Sequence, residues 1–164
     1  MVTLTIDSKQ VRVRKGMTVL EVAREAGIYI PTLCYHPSLP SDGSCELCLV
    51  EIDDGDNFQL ACVTTVTEGM VVYTDTPEVR LRQRDALKHI LAKHPCACLT
   101  CWRRERCKLF DICLRSAAIT ERCVTCPKHG TCELEAVTDY IGLGEEELSY
   151  TYRNLPVYTD NPLF

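Results

Sequence analysis

Apolar and polar residues alternate with period two at the start of the chain, in VTLTID and QVRVR, with the polar residues DSK at the turn between them. This alternation predicts two half-buried strands joined as a β-hairpin. Two later segments, CLVEI and MVVYT, are further strand predictions. With one helix between the hairpin and these strands, the pattern predicts a small α+β domain covering roughly residues 1–75.

The predicted helix lies in MTVLEVAREAG, where the apolar residues share one face at helical spacing: Val19, Leu20, Val22, Ala23 and Ala26. Thr18 is a suitable N-cap, and Glu21 stands three residues later, as a capping box requires. Gly27 is placed to end the helix, because glycine adopts the left-handed conformation that follows many helices.

A second helix is predicted in PEVRLRQRDALKHILAKH, opened by Asp75 and Pro77. Its apolar positions partly follow the 3.6-residue period: Val79, Leu87, Ile90 and Leu91. This helix leads into a cysteine-rich half, so we expect a second, mostly helical domain over residues 76–150. A short helix is predicted around 133–141, and residues 151–164 are expected to form an extended tail.

Composition and charge narrow the function. The 164 residues are 46% hydrophobic and 25% charged, with a net charge of −5, which favours neither nucleic acid nor an anionic membrane as a partner. No run of about 20 apolar residues could span a bilayer, and the first residues lack the pattern of a signal peptide. A cytoplasmic protein is expected. Because cytosolic thiols stay reduced, the twelve cysteines favour metal binding over a disulfide framework.

The first cysteine set has gaps of ten, two and thirteen residues and consists of Cys34, Cys45, Cys48 and Cys62. The C-x2-C pair supplies two thiolates from one tight turn, and separate segments supply the other two. A 2Fe–2S cluster needs four thiolates surrounded by backbone N–H groups, which a loop containing Gly43 and Ser44 can provide. Zinc is the alternative, but zinc modules ordinarily carry two C-x2-C pairs and this segment has one.

The segment IPTLCYHPSLPSDGSCELCLVEI resembles the N-terminal ferredoxin domain of the large iron–sulfur subunit of respiratory complex I. The same domain occurs in iron-only hydrogenases and NAD-dependent formate dehydrogenases. The resemblance implies a β-grasp fold with one 2Fe–2S cluster, and all four cysteines match the family's ligand positions. Glu46 departs from the pattern, because relatives usually have a basic residue there. An acid beside an anionic cluster is expected to lower its reduction potential.

A second part of the resemblance lies in HPCACLTCWRRERC, where the spacing is H-x3-C-x2-C-x5-C. In the same family this motif follows the ferredoxin domain and binds a 4Fe–4S cluster through one histidine and three cysteines. The resemblance implies that the ligands here are His94, Cys98, Cys101 and Cys107. A neutral imidazole in place of a thiolate should raise the potential of this cluster. The remaining histidines lack such support and are predicted not to be ligands: His36, His89 and His129.

An internal repeat points to another cluster. CLTCWRRERCKL and CVTCPKHGTCEL, in residues 98–109 and 123–134, share C-x-T-C-x5-C-x-L at an offset of 25 residues. The second copy supplies three cysteines for a second 4Fe–4S cluster: Cys123, Cys126 and Cys132. Cys113 is the favoured fourth ligand, with Cys96 as the alternative. A single 4Fe–4S cluster that uses ligands from both copies is the other arrangement left open.

No dinucleotide-binding G-x-G-x-x-G motif follows a strand, and no Walker motif is present. We therefore expect no catalytic site and interpret the chain as an iron–sulfur subunit of a soluble oxidoreductase complex. As the resemblance implies, it would relay single electrons between a flavin- or NAD(P)H-linked subunit and a reductase, dehydrogenase or hydrogenase. Two alternatives remain: a free multi-cluster ferredoxin-like shuttle, and a zinc-stapled interaction module in which the pairs Cys98/Cys101 and Cys123/Cys126 bind one ion.

Overall fold

The first two strands form the predicted hairpin. A computed structural model describes residues 1–53, 57–94, 128 and 130–143. Strands β1 (Val2–Ile6) and β2 (Lys9–Val13) pair antiparallel, with Val2 opposite Val13 and Ile6 opposite Lys9. Asp7 at the turn has a φ of 53°. Its carboxylate accepts hydrogen bonds from both the backbone N–H and the hydroxyl of Thr74, which ties the hairpin to the far end of the domain.

Three further strands complete a five-stranded mixed sheet, namely β3 (Leu49–Ile52), β4 (Phe58–Leu60) and β5 (Val71–Tyr73). The strand order is β2-β1-β5-β3-β4, in which β1 and β5 are parallel and the other neighbours antiparallel. This mixed sheet with helices is consistent with a 2Fe–2S ferredoxin-like domain. The strands predicted in CLVEI and MVVYT are confirmed, whereas β4 was not predicted.

Helix α1 (Val19–Glu25) provides the apolar face that packs on this sheet. Thr18 and Glu21 form the predicted capping box, with each side chain accepting the backbone N–H of the other residue. The predicted end at Gly27 is also confirmed: its φ is 73°, and the N–H of Ile28 donates to the carbonyl of Ala23, which closes the last turn. The core beneath α1 consists of aliphatic residues that include Leu4, Ile6, Val50 and Val72.

Helix α2 (Pro77–Lys93) begins as predicted, with Thr76 as its N-cap and Pro77 in the first turn. The Thr76 hydroxyl accepts the N–H of Val79. Gln83 is buried although it is polar, because its amide Nε2 donates to the carbonyl oxygen of Leu49 at 3.1 Å. This bond attaches α2 to β3 immediately after the C-x2-C turn.

Helix α3 (Glu133–Ile141) lies where the sequence predicted a short helix. It ends at Gly142, which has a φ of 67°. A second apolar cluster joins α2 and α3 to the cysteine loop and contains Cys45, Leu47, Leu87, Leu91 and Val137. The helices that pack beside the cysteine loop therefore come from both halves of the sequence.

The predicted domain limits at 75 and 150 stay predictions, and the tail at 151–164 and most of the cysteine-rich half lie outside the described residues. In the part of the chain that the structure describes, no helix is both long enough and apolar enough to span a membrane.

Candidate functional site

Four cysteines come from three loops of the sheet domain. Cys34 lies on the segment after α1, and the C-x2-C pair leads directly into β3. Strand pairing places the fourth cysteine beside this pair, because Leu49 is opposite Leu60 and Ala61 donates its N–H to the carbonyl of Cys48 at 2.9 Å. The unpredicted strand β4 is therefore the element that delivers Cys62 to the site.

The four thiols fall into two close pairs. The sulfur atoms of Cys34 and Cys45 are 3.3 Å apart, and Cys48 and Cys62 interact through their side chains. All four are free thiols. Cys48 and Cys62 are almost fully buried, Cys45 is 9% exposed and Cys34 is half-buried. Cys34 is thus the cysteine of the site that is nearest to solvent.

Burial and backbone N–H groups act on these thiols in opposite directions. Burial raises the pKa of Cys48 to about 12, and the neighbouring Cys62 and Cys45 add to this shift. Burial also raises the pKa of the Cys34 thiol. At Cys45 burial is the largest single influence and acts to raise the pKa, but hydrogen bonds from the N–H groups of Leu33 and Leu47 and from the thiol and N–H of Cys34 together outweigh it, so the pKa lies below its ordinary value. These N–H donors favour a thiolate.

The loop before the C-x2-C pair is held in a tight conformation. Gly43 has a φ of 72°, and a Cβ atom on it would lie 2.7 Å from the Cδ1 atom of Leu60. The carbonyl of Gly43 accepts the N–H of Glu46 at 3.1 Å, and the carboxylate of Asp42 accepts the N–H of Ser44 at 3.1 Å. The sequence singled out Gly43 and Ser44, and the structure supplies the reason for the glycine: the positive φ disfavours a side chain, and a Cβ would force Leu60 to shift.

The donor set suits a two-metal centre. Four thiols in two pairs can give two thiolates to each iron of a 2Fe–2S cluster, with N–H groups directed at the sulfurs. Within residues 1–53, 57–94, 128 and 130–143, no group of three or more His, Cys, Asp or Glu side chains could hold a single metal ion. Because each thiol must lose its proton to bind iron, filling the site releases protons, and the raised pKa of Cys48 makes its proton harder to remove than that of an ordinary thiol.

A shallow cavity of about 370 Å³ opens beside the C-x2-C turn, between that turn, β4 and α2. Its lining includes four charged or titratable side chains: Glu46, Arg82, Asp85 and His89. Glu46 is exposed and has a φ of 55°. The carboxylate predicted to influence the cluster thus lies between the predicted ligands Cys45 and Cys48 in sequence and is exposed to solvent.

Two of the eight other predicted ligands are described, and each stands at a helix end. His94 is the exposed C-cap of α2 and donates its backbone N–H to the carbonyl of Leu91. Cys132 is the N-cap of α3, and its side chain makes no capping hydrogen bond. The other predicted ligands, with the alternative Cys96, lie outside the described residues: Cys98, Cys101, Cys107, Cys113, Cys123 and Cys126.

Two histidines that were predicted not to be ligands make local contacts. Nδ1 of His36 accepts the N–H of Ser38, and Nδ1 of His89 is 2.8 Å from the carbonyl oxygen of Asp85. The third, His129, lies outside the described residues, and the roles of all three stay predictions.

The sequence did not predict that Leu33 and Leu47 would donate N–H groups to a cysteine. Apolar residues beside a ligand are ordinarily interpreted as core, and Leu47 is indeed fully buried. The signal that could have found them is their position next to Cys34 and Cys48, because backbone N–H groups that flank a ligand are the ones most able to reach a cluster.

Comparison with known proteins places the site in a family context. Residues 1–77 match the 2Fe-2S iron-sulfur cluster binding domain family. The chain is 42% identical over 112 residues to an NADH-quinone oxidoreductase subunit of Rhizobium meliloti. This alignment covers 68% of the present chain and 13% of the Rhizobium protein. It is 35% identical over 112 residues to the NADH-ubiquinone oxidoreductase 75 kDa subunit of Reclinomonas americana, with 68% and 16% covered.

A solved structure resembles nearly the whole chain. The NAD+-reducing [NiFe]-hydrogenase in its H2-reduced state superposes with a TM-score of 0.70 at 27% identity, covering 98% of this chain and 57% of the other. The chain spans between 13% and 18% of the length of the curated relatives that it matches. The resemblance drawn from the cysteine motifs is confirmed by these matches.

Proposed function

We propose that Cys34, Cys45, Cys48 and Cys62 hold one 2Fe–2S cluster in an electron-transfer subunit, since residues 1–77 match the 2Fe–2S iron–sulfur cluster binding domain family. The observation that carries this proposal is the convergence of four free thiols in two pairs, beneath backbone N–H groups of the cysteine loop. When bound, the cluster accepts and releases one electron at a time. The protein supplies the thiolates, excludes water on the Cys48 side and leaves Cys34 closest to solvent.

The proposed partners are other subunits of a redox complex in the cytoplasm, one linked to flavin or NAD(P)H and one that completes the reaction. The names of the relatives support this, because they include a component of NADH-quinone oxidoreductase and an NAD+-reducing hydrogenase. A free shuttle would carry the same cluster without a stable partner. Co-purification from a native extract separates the two, because a relay subunit should elute together with other redox subunits, whereas a shuttle should elute alone.

For the cysteine-rich half we propose a 4Fe–4S cluster on His94, Cys98, Cys101 and Cys107, in a small, mostly helical domain. A second cluster of the same type would use Cys123, Cys126 and Cys132 with Cys113, or with Cys96 in its place. Two observations are consistent with ligand roles at the described positions. His94 is exposed at the end of α2, and the thiol of Cys132 is free of capping contacts.

Metal content tests the cluster assignment. Iron, acid-labile sulfide and zinc should be measured per chain after anaerobic purification, with electron spin resonance after reduction. We expect about ten irons per chain and two distinct 4Fe–4S signals beside a 2Fe–2S signal. About six irons per chain would show that only one 4Fe–4S cluster is bound and would contradict the second. About two irons with stoichiometric zinc would contradict the relay and make the cysteine-rich half a structural module.

Replacing Glu46 with arginine should raise the midpoint potential of the 2Fe–2S cluster. The reduced cluster carries one more negative charge than the oxidised cluster, so a positive charge nearby favours reduction. Both side chains have a Cβ atom, so the substitution adds little strain at a φ of 55°. The measurement is a redox titration followed by electron spin resonance. Glu25→Arg, the same charge change at an exposed position of α1, is the control, and equal shifts in both variants would contradict a local effect.

A further inference from the structure

Helix α3 from the cysteine-rich half packs against the loop that carries the 2Fe–2S ligands. Val137 of α3 is 2% exposed and belongs to the same apolar cluster as Cys45 and Leu47. Cys34 and Leu134 pack at the margin of this cluster. The half-buried side of the site, where Cys34 and Cys45 lie, is therefore covered in part by a helix that is distant in sequence.

Two contacts outside the apolar cluster fasten α3 in this position. The guanidinium of Arg84 on α2 donates to the carbonyl oxygens of Ile141 and Gly142, at 3.4 and 3.1 Å. These carbonyls lie at the C-terminal end of α3, where a helix leaves acceptors without partners in the helix and favours a positive charge. The rings of Tyr29 and Tyr140 meet edge to face at 4.7 Å and connect α3 to the segment that precedes Cys34.

We propose that Arg84 is a positioning residue that holds α3 as a wall of the 2Fe–2S site, and that this wall keeps the reduction potential low by limiting the access of water to the Cys34–Cys45 side, on which Cys34 remains only half-buried. The inference rests on the proposed function, since it needs the cluster to be bound by these cysteines. Reduction adds a negative charge, and an apolar, water-poor shell stabilises that charge less than water does. Loosening α3 should therefore raise the potential.

The wall also connects the two halves of the chain. Cys132, a proposed ligand of the second 4Fe–4S cluster, is the residue immediately before α3. The buried carboxylate of Glu135 accepts the N–H of Gly130 at 2.9 Å and fixes the approach to Cys132. One helix thus carries a proposed ligand of one cluster at its start and shields another cluster with its apolar face.

The test uses the full chain with its clusters bound and compares the 2Fe–2S midpoint potential with amide hydrogen exchange in residues 133–141. Val137→Ala removes apolar contact without changing charge. We expect exchange in α3 to become about tenfold faster or more, and the midpoint potential to rise. Arg84→Ala should accelerate exchange to a similar extent, and Arg84→Lys should restore part of the protection because one donor remains at the helix end.

Arg82→Ala is the matched control, because it removes the same charge from the same helix. The Arg82 guanidinium lies over the Phe58 ring at 4.3 Å and forms an ion pair with Glu78. Amide exchange in α3 should be unchanged in Arg82→Ala. The 2Fe–2S midpoint potential should be higher in Arg84→Ala than in Arg82→Ala. Faster exchange in Val137→Ala with an unmoved potential would overturn the proposal, as would unchanged exchange in both Val137→Ala and Arg84→Ala. An unaltered protein without a 2Fe–2S signal would instead contradict the proposed function.

Discussion

Replacing Cys48 with serine should eliminate the 2Fe–2S cluster and reduce the iron content by about two per chain. Serine has a much higher pKa than cysteine, and at a position with no exposed surface its hydroxyl would rarely ionise to bind iron. Iron and sulfide content, visible absorption and the 2Fe–2S signal in electron spin resonance measure the loss. We expect the sheet domain to become less stable, because the proposed cluster would join three separate loops.

Cys132→Ser is the control for this substitution. Serine is a preferred N-cap, whereas Cys132 makes no side-chain capping hydrogen bond, so this variant should retain or strengthen the start of α3. It should keep the 2Fe–2S signal and lose about four irons from the proposed second 4Fe–4S cluster. A Cys48→Ser protein with full iron content and an intact 2Fe–2S signal would contradict the assignment of Cys48 as a ligand.

Replacing Gly43 with alanine should destabilise the domain by about 2–3 kcal/mol, with faster loss of the 2Fe–2S cluster. Alanine at a φ of 72° costs about 1 kcal/mol, and its Cβ would lie 2.7 Å from the Cδ1 atom of Leu60. Leu60 packs against the core and would have to shift toward the cavity that it lines to make room for this Cβ. The cost falls on the loop that orients Cys45, so the cluster should be released more readily.

The control for Gly43→Ala is Gly69→Ala. Gly69 has a φ of 79°, but no atom lies within 4 Å of a Cβ built on it. It therefore reports the backbone strain alone, about 1 kcal/mol. Thermal unfolding followed by circular dichroism, and bleaching of visible absorption, measure stability and cluster loss. Equal destabilisation by the two substitutions would show that the contact with Leu60 carries no cost. If the contact is costly, Gly43→Ala should destabilise the protein less in a Leu60→Ala background.

Local rules account for the elements that the sequence predicted well. Period-two alternation is typical of β1 and β2 because successive side chains point to opposite faces of a sheet. The capping box of Thr18 and Glu21 needs only a spacing of three residues. The start of α2 at Pro77 likewise depends on nearby residues alone. None of these features requires knowledge of a distant segment.

Strand β4 was not predicted because its stability comes from pairing with β3 rather than from its own three residues. Gln83 was not predicted to be buried, since its partner is a carbonyl 34 residues away in sequence. Sequence spacing placed four cysteines in one set but could not say that Cys34 would pair with Cys45. That pairing depends on how the loop after α1 meets the turn before β3.

The sequence by itself indicated a thiolate metal site, because thiol identity and the C-x2-C spacing limit which metal centres the chain can hold. It also determined the local elements, since hydrophobic period and capping act within a few residues. Only the tertiary structure decided which thiols are buried, which N–H groups reach them and which helix covers the site. Burial and low local polarity arise when α3 packs beside Cys45 and Leu47, which are about 90 residues away from α3 in sequence. No local sequence pattern encodes a contact over that separation.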